Sequence, residues 1–420
     1  MTFKSLVKKT YRETKNSFFL TRMVCLIVNI YLGKLSNHKK ALTILNVLKF
    51  LKQNIAYFYL AQLAYIYNNL TQSLSYINIF LKSSPNHADA IYFKCDILSL
   101  CEQKNEAFNL LENLLQNSSR IKTWMMFAKL VQDNQDLKRL LNLYKQNIDN
   151  YPKFKQKHDE ILKAFAKAAI NIKDFTLAKK FAKEALFIFM KKGAKAHFIS
   201  KEAMRLEDAK EALSELRELL EENHIQMFLI SGTFLGCIRE KNILSHDYDI
   251  DVGVYYTDLK KLREIFIESK NFILKSYTYE GGVQIYHING VYIDVFLHYE
   301  ENGFVYHNGD FMRWRNTPFE LISYDFLGRK YLGPKNYDLY LKENYGLDWK
   351  IPKNSTQFNS FLDTPNIEIL DENRMIIFLY ELLFKTFAIK NEKQILNALK
   401  TYGEEGFVKE YLNLKQEQIG

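Results

Sequence analysis

The 420-residue chain predicts an α+β protein, an all-α helical array followed by a domain built on a mixed β-sheet with flanking helices. Three observations predict it. Between about Thr21 and Met190 apolar residues fall at helical spacing, and Tyr57, Ser73 and Pro85 recur 34 residues later as Ile91, Ala107 and Ser119. From Phe228 to Tyr255 the sequence F-L-I-S-G-T-F-L-G-C-I-R-E-K-N-I-L-S-H-D-Y-D-I-D-V-G-V-Y reads as strand, turn, helix and strand. Gly281 to Leu297 reads as a hairpin turning at Asn289-Gly290, a dipeptide that accepts the positive φ of a tight turn.

The chain is long for a single core, so two domains are expected, 1–195 and 196–420. Hydrophobic residues at 47% with 25% charged mark a globular composition, and no long disordered tract is expected. A net charge of +10 suits a phosphate-rich substrate, a nucleic acid or an anionic membrane. Lys and Arg are spread along the chain, so no dedicated nucleic-acid tail is expected. Cys25, Cys95, Cys101 and Cys237 have neither zinc-ligand spacing nor a disulfide framework, which predicts a reducing, cytoplasmic setting. Cys237 has no neighbouring base and reads as a small buried side chain.

Taken in order, Lys4, Lys8, Lys9 and Arg12 precede F-F-L-T-R-M-V-C-L-I-V-N-I-Y-L. Arg22 and Asn29 interrupt that run, which falls short of the roughly 20 residues a span needs and has no cleavage site after it. It reads as a buried helix, with peripheral membrane contact as the alternative. The 34-residue spacing resembles tetratricopeptide helical hairpins, which stack to leave a concave surface. Two readings of that array stay open: it binds a partner, or it packs on the second domain or mediates self-association. Tyr57, Tyr59, Tyr65 and Tyr67 belong either to a sugar-contacting surface or to the repeat core. Lys191 to Lys195 reads as a linker, 200–223 as an amphipathic helix, and Ile225 to Ile230 as the first strand.

The acidic strand Asp249-Ile250-Asp251-Val252-Gly253-Val254 alternates, so Ile250, Val252 and Val254 face a core while Asp249 and Asp251 share the other face. Two carboxylates on one strand repel each other, and a divalent cation relieves the repulsion. Hard oxygen ligands point to Mg2+ or Mn2+. The bland alternative is the solvated face of an edge strand. Against it stands Asp294 in the apolar run G-V-Y-I-D-V-F-L, where a charge is costly unless paired or ligating. Asp294 is either a third ligand or the partner of a buried Arg such as Arg239. The turn Ser231-Gly232-Thr233 and Gly236 allow close backbone approach, and N–H groups at the following helix start can face a phosphate. Arg239, Arg313, Arg315, Arg329 and Lys330 offer cations. For Arg313 and Arg315 in M-R-W-R-N the alternative is a solvated strand face. Leu259 to Phe272 reads as a helix, and the segment after Asp371 as helices assigned only to packing.

G-T-F-L-G-C-I-R, then S-H-D-Y-D-I-D-V-G-V, then Y-I-D-V-F resembles the LicD and fukutin group of the nucleotidyltransferase superfold. The resemblance continues into F-L-G-R-K-Y-L-G-P-K-N-Y-D-L-Y-L-K-E-N-Y-G-L-D-W-K-I-P, Phe326 to Pro352, and covers roughly the last half of the chain. One departure is His246-Asp247, where the family often has Trp-Asp. The resemblance implies a nucleotidyltransferase-fold domain that moves a phospho-alcohol group, phosphocholine or ribitol phosphate, from a CDP-activated donor to a glycan hydroxyl. The glycan would belong to a surface polysaccharide or its lipid-linked precursor, and CMP would leave. It implies two divalent ions on Asp249, Asp251 and Asp294, with Asp294 taking the acceptor proton. Ser231, Gly232, Thr233, Gly236 and Arg239 would hold the nucleotide phosphates, and His246, Asp247, Arg313, Arg315, Arg329, Tyr345 and Trp349 would shape the substrate pocket. Two rivals remain: a glycosyltransferase using Asp247-Tyr248-Asp249 as its Asp-x-Asp, and a non-catalytic repeat scaffold.

Overall fold

The computed structural model describes residues 3–34, 37–193, 203–245, 247–255, 258–275, 281–353, 361–386 and 391–417. It shows an all-helical N-terminal region followed by a mixed-sheet domain with flanking helices, the predicted α+β class. Helices α1 (Phe3–Glu13), α2 (Phe19–Asn29), α3 (His38–Phe50), α4 (Ile55–Ile66) and α5 (Leu70–Ser83) come first. Then follow α6 (Ala88–Leu100), α7 (Lys104–Leu115), α8 (Lys122–Leu130), α9 (Asn134–Asn147), α10 (Pro152–Gln156), α11 (His158–Asn171) and α12 (Phe175–Lys191). The second half runs α13 (Leu206–Glu222), β1 (Met227–Leu229), α14 (Ser231–Arg239), β2 (Asp249–Val254), α15 (Leu259–Glu268), β3 (Phe272–Leu274), β4 (Gly282–His287) and β5 (Tyr292–Glu301). It ends with β6 (Phe304–Asn308), β7 (Met312–Asn316), β8 (Leu321–Phe326), β9 (Arg329–Pro334), α16 (Tyr337–Tyr345), β10 (Ile367–Ile369), α17 (Glu372–Thr386), α18 (Glu392–Thr401) and α19 (Glu405–Glu417).

Short polar side chains set the helix starts. Asn37, Asn69, Asp133, Asp174, Asp258 and Asn336 each accept a hydrogen bond from a backbone N–H in the first turn of the helix that follows. The expected helix at 200–223 is the shorter α13, and the one expected over Leu259 to Phe272 stops at Glu268 so that Phe272 can open β3. The basic N-terminal residues lie on α1, and the apolar run that follows opens α2. On α2, Thr21, Cys25, Val28 and Asn29 are buried, whereas Phe18, Phe19, Leu20, Met23 and Ile27 face solvent, so the expectation of a buried helix holds for one face only.

The chain forms two compact units, residues 1–87, 201–354 and 358–368 in one, and 88–200, 355–357 and 369–420 in the other. In the second unit, α17 and α19 pack on α12, with Phe187 stacked on Phe407 at 5.5 Å between ring centroids. Trp124 is its buried hub, ringed by Phe127, Tyr144, Phe154 and Phe165.

The first unit holds the sheet, in the order β10-β7-β6-β5-β2-β1-β9-β8, with β4 pairing the other side of β5 and β3 pairing β4. Its core is the apolar face of β1, β2 and β5 with α13 and α14: Met227, Leu229, Val252, Val254, Ile293, Val295, Leu213 and Phe234 are buried. The Asn289-Gly290 hairpin forms as expected, with Gly290 at φ +97° and its N–H donating to His287 O. Helices α4 and α5 pack on each other, and their connecting turn is tied to the α15–β3 connection. There Asn68, at φ +53°, donates from Nδ2 to the carbonyls of Phe266, Ser269 and Phe272 at 3.2, 2.8 and 2.8 Å. Tyr59 is buried and donates to Glu13, so it belongs to the core, while Tyr57 and Tyr65 are half-buried and Tyr67 is exposed.

Candidate functional site

The site forms where β1 ends and β2 and β5 begin. Strand β2 runs antiparallel to β1 and parallel to β5, and the register places Asp251 opposite Asp294 and Asp249 opposite Tyr292. Neighbours in register share a face, so the two candidate ligands on β2 and the one on β5 share the face away from the Ile250, Val252 and Ile293 core. Across the hairpin, Gln284 stands opposite Asp294 and Tyr286 opposite Tyr292, extending that polar face onto β4.

Asp251 is the centre. Burial raises its carboxyl well above the ordinary range, and Asp249, Asp294 and Asp247 push it further in that order, while a hydrogen bond from the Gly232 N–H pulls the other way. Asp247 approaches from the loop before β2. A side chain at Gly232 would meet Asp247 Oδ2 at 3.1 Å and Asp251 Oδ2 at 3.7 Å, so glycine there lets two carboxylates converge over the start of α14. Burial and then Asp249 lift Asp247 to about 7. Asp294 accepts from the Tyr292 hydroxyl at 3.2 Å, and Tyr248 donates to Asp249.

The Ser231-Gly232-Thr233 turn braces this cluster. Its Gly232 N–H faces Asp251, and the buried Thr233 hydroxyl accepts from the Asp251 backbone N–H at 2.8 Å. Ser231 sits at φ +47°, a left-handed conformation rare for a residue with a side chain. The anion at this helix start is therefore the protein's own carboxylate. Gly236 admits the return loop: a Cβ there would lie 2.6 Å from Asn242 O.

Tyr345 joins the carboxylates from the end of α16. Burial, then Asp251, raise its hydroxyl well above its ordinary range. Trp349 is buried in the core, donating to Asp338 at 3.2 Å, and its carbonyl accepts from Arg239 Nη1 at 3.1 Å. Arg239 also pairs with Glu240 at 2.8 Å, and its bond to the Trp349 carbonyl ties it to the second sequence block.

Three predicted pocket cations lie elsewhere. Arg313 pairs with Glu301 at 2.6 Å and Glu368 at 2.8 Å, and Arg315 with Glu368 at 3.2 Å. Glu301 is at the far end of β5 from Asp294, roughly 23 Å along a strand that rises about 3.3 Å per residue. Arg329 pairs with Glu218 of α13 at 2.6 Å. It opens β9, which runs parallel to β1 and so carries Arg329 to the end away from the site. The exposed Lys330 pairs with Asp325 at 3.3 Å at that same end. His246 lies outside the described residues.

Sequence reasoning missed Lys275, Gln284, Tyr286 and Tyr292. Lys275 Nζ donates to Gln284 Oε1 at 2.9 Å and lies 5.1 Å from the Tyr292 ring centroid. The signal existed: counting outward from the Asn289-Gly290 turn puts Gln284 beside Asp294.

The donor chemistry fits a hard divalent cation. Four carboxylates crowd one partly dry site, and the central one is held towards its proton first by burial and then by its like-charged neighbours. Among the described residues no group of three His, Cys, Asp or Glu side chains already stands in a metal-holding arrangement, so the fit rests on charge and donor type.

The site is thus a set of strand-borne aspartates braced by a Gly-Thr turn at a helix start, on a mixed sheet. The particular family follows from comparison: residues 224–336 match LicD/FKTN/FKRP, nucleotidyltransferase domain, and the chain carries such a domain there. It is 27% identical over 176 residues to ribitol-5-phosphate transferase FKTN of Mus musculus, covering 38% of this chain and 36% of that protein. It is 24% identical over 144 residues to ribitol 5-phosphate transferase FKRP of Homo sapiens, covering 30% and 29%. An uncharacterized protein of Rickettsia prowazekii (strain Madrid E) is 32% identical over 99 residues, covering 23% and 35%. The chain spans about a third of the length of these relatives. At this low identity the likeness supports a phospho-alcohol transferase family.

Proposed function

We propose that this protein transfers a phospho-alcohol group, of the ribitol phosphate, glycerol phosphate or phosphocholine type, from a CDP-activated donor to a glycan hydroxyl. The observation that carries the reading is the in-register pair Asp251 and Asp294, within a cluster that Asp249 and Asp247 complete, inside the matched domain. In the reaction the acceptor oxygen bonds to the phosphorus bearing the alcohol, the bond from that phosphorus to the oxygen bridging to the cytidine phosphate breaks, and CMP leaves with the electron pair. The hydroxyl proton passes to Asp294, which Tyr292 orients through its hydrogen bond. Asp249, Asp251 and Asp294 are the residues that would hold Mg2+ or Mn2+, and the bound ion supplies charge neutralisation for the phosphate oxygens. Gly232 and Thr233 act indirectly, by fixing Asp251. The N-terminal helices, read as tetratricopeptide-like, are left the role of partner or acceptor presentation.

The test is CMP release by the full-length protein with magnesium and CDP-ribitol, CDP-glycerol or CDP-choline, alongside a thermal-shift panel that includes UDP-sugars. One CDP-alcohol should stabilise the protein, by about 2.7 kcal/mol at a hundredfold excess over Kd, and Asp251→Asn should remove both the shift and the release. Stabilisation by UDP-sugars alone, with Asp247→Asn the more damaging change, would instead make the protein a glycosyltransferase. No response to any nucleotide would leave the scaffold reading.

A further inference from the structure

Lys and Arg occur throughout the chain, but the acidic residues that offset them do not. Residues 1–87 carry twelve Lys and Arg against one acid, Glu13, and Glu13 is buried. The remaining residues carry 46 Lys and Arg against 47 Asp and Glu, so the whole positive excess of the chain resides in its first five helices.

The same helices expose apolar side chains at one end. Phe18, Phe19 and Leu20 are 80%, 77% and 75% exposed, and Phe50 and Leu51 are 85% and 57% exposed. These two groups flank a single helix end. Thr21 and Gln53 meet side chain to side chain at 3.2 Å, which places the start of α2 beside the end of α3. Arg22 donates to the carbonyls of Thr14 and Lys15 at 3.1 and 2.6 Å, which brings the end of α1 to the same place. Lys15, Lys49 and Lys52 stand exposed around it. The opposite end of α4 is where Asn68 fastens the helices to the α15–β3 connection of the same unit. The hairpin of α3 and α4 therefore spans from the apolar tip to the catalytic sheet, about 18 Å for the 12 residues of α4.

We propose that this tip docks on the surface of a bilayer carrying anionic headgroups, inserting Phe18, Phe19, Leu20, Phe50 and Leu51 among the headgroups while Lys15, Lys49 and Lys52 pair with the lipid phosphates. The occupant follows from charge and shape together. Apolar side chains this exposed gain only from a medium that takes them out of water, and the surrounding lysines select a negative one. A second copy of the chain would bring a like positive surface against this one. A nucleic acid would engage the lysines and leave the aliphatic side chains wet. Among the described residues no helix is long and apolar enough to cross a membrane, so the contact is with the surface. The inference is independent of the transferase reading, and either can fail without the other.

Flotation of the full-length protein with phosphatidylcholine vesicles, with and without phosphatidylglycerol, tests it. Binding is expected on the anionic vesicles and to weaken with salt. Phe18→Ser with Phe19→Ser, and separately Lys49→Glu with Lys52→Glu, should each lower partitioning by roughly tenfold or more while leaving the melting temperature and the circular dichroism spectrum unchanged. Equal binding to neutral vesicles, or binding undiminished by the phenylalanine pair, would overturn the docking. So would a dimer of the wild type, seen by sedimentation, that the phenylalanine pair abolishes without vesicle binding. A gel shift with RNA that both pairs abolish, without vesicle binding by the wild type, would overturn it equally.

Discussion

Asp247 lets the electrostatics of the site be tested without substrate. Burial first, and then Asp249, hold its carboxyl at about 7, against an ordinary 3.8. The folded protein thus binds this proton more tightly than the unfolded chain does. Below 3.8 the group is protonated in both states and costs nothing; the cost grows as pH rises and is complete above about 7. A difference of about three pKa units corresponds to about 4 kcal/mol, an upper bound, and water access to this half-buried side chain brings it to about 2 kcal/mol. Asp247→Asn removes the charge and keeps the shape, so it should stabilise the protein by about 2 kcal/mol at pH 8 in EDTA, and by under half of that at pH 5. Urea unfolding of both proteins at the two pH values reads it directly, since groups that titrate alike in both cancel in the difference. Magnesium at pH 8 should stabilise the wild type more than the variant. A variant that is neutral or weaker at pH 8, or a difference that fails to narrow at pH 5, would refute the picture of a charge-crowded site.

His298 gives the opposite pH dependence. Burial lowers its pKa from 6.5 to about 4, so its contribution is present above 6.5 and is lost as pH falls through about 4. His298→Phe should flatten up to about 3 kcal/mol of that acid loss in urea titrations between those values. Gly236→Ala places a Cβ 2.6 Å from a backbone oxygen that cannot swing away, so thermal unfolding should show a loss of about 1–3 kcal/mol. Asn68→Gly keeps the positive φ and removes the donor to three carbonyls, for an expected loss of about 1–3 kcal/mol by denaturant unfolding, with hydrogen exchange rising at the α15–β3 connection.

Much of the aspartate-bearing sheet was legible because its signals are local. Alternation in 249–254 and the Asn289-Gly290 turn fixed which side chains share a face, and both strands formed as read. The alignment of Asp251 with Asp294 depends on a parallel pairing with a crossover between the strands, which no local pattern specifies. The arginines show the limit most clearly. Alternation placed Arg313 and Arg315 on one strand, but their partners Glu301 and Glu368 come from β5 and from a segment beyond α16, so only the fold reveals that these charges are already balanced. The helical region hid a different kind of information. Apolar periodicity in α2 signalled a core face, yet nothing local to the helix said whether its remaining apolar side chains would be covered, and Phe18, Phe19 and Leu20 stand exposed.

The α14 start shows how the fold balances opposing demands. A helix N-terminus is ordinarily offered to a ligand's phosphate, yet here Gly232 directs its N–H at Asp251 and Thr233 holds the same residue's backbone. Four clustered carboxylates need that help, because burial and mutual repulsion all drive Asp251 towards its neutral form, and one N–H only partly offsets them. On the proposed reading, a cation entering the site competes with the protons held on Asp251 and Asp247. Magnesium affinity should then rise with pH through about 7, and binding should release protons, measurable as a buffer-dependent heat in titration calorimetry. A magnesium affinity flat between pH 5.5 and 8.5 would mean that the carboxylates are not where the ion binds, and would move the search for its ligands away from the β2 and β5 pair.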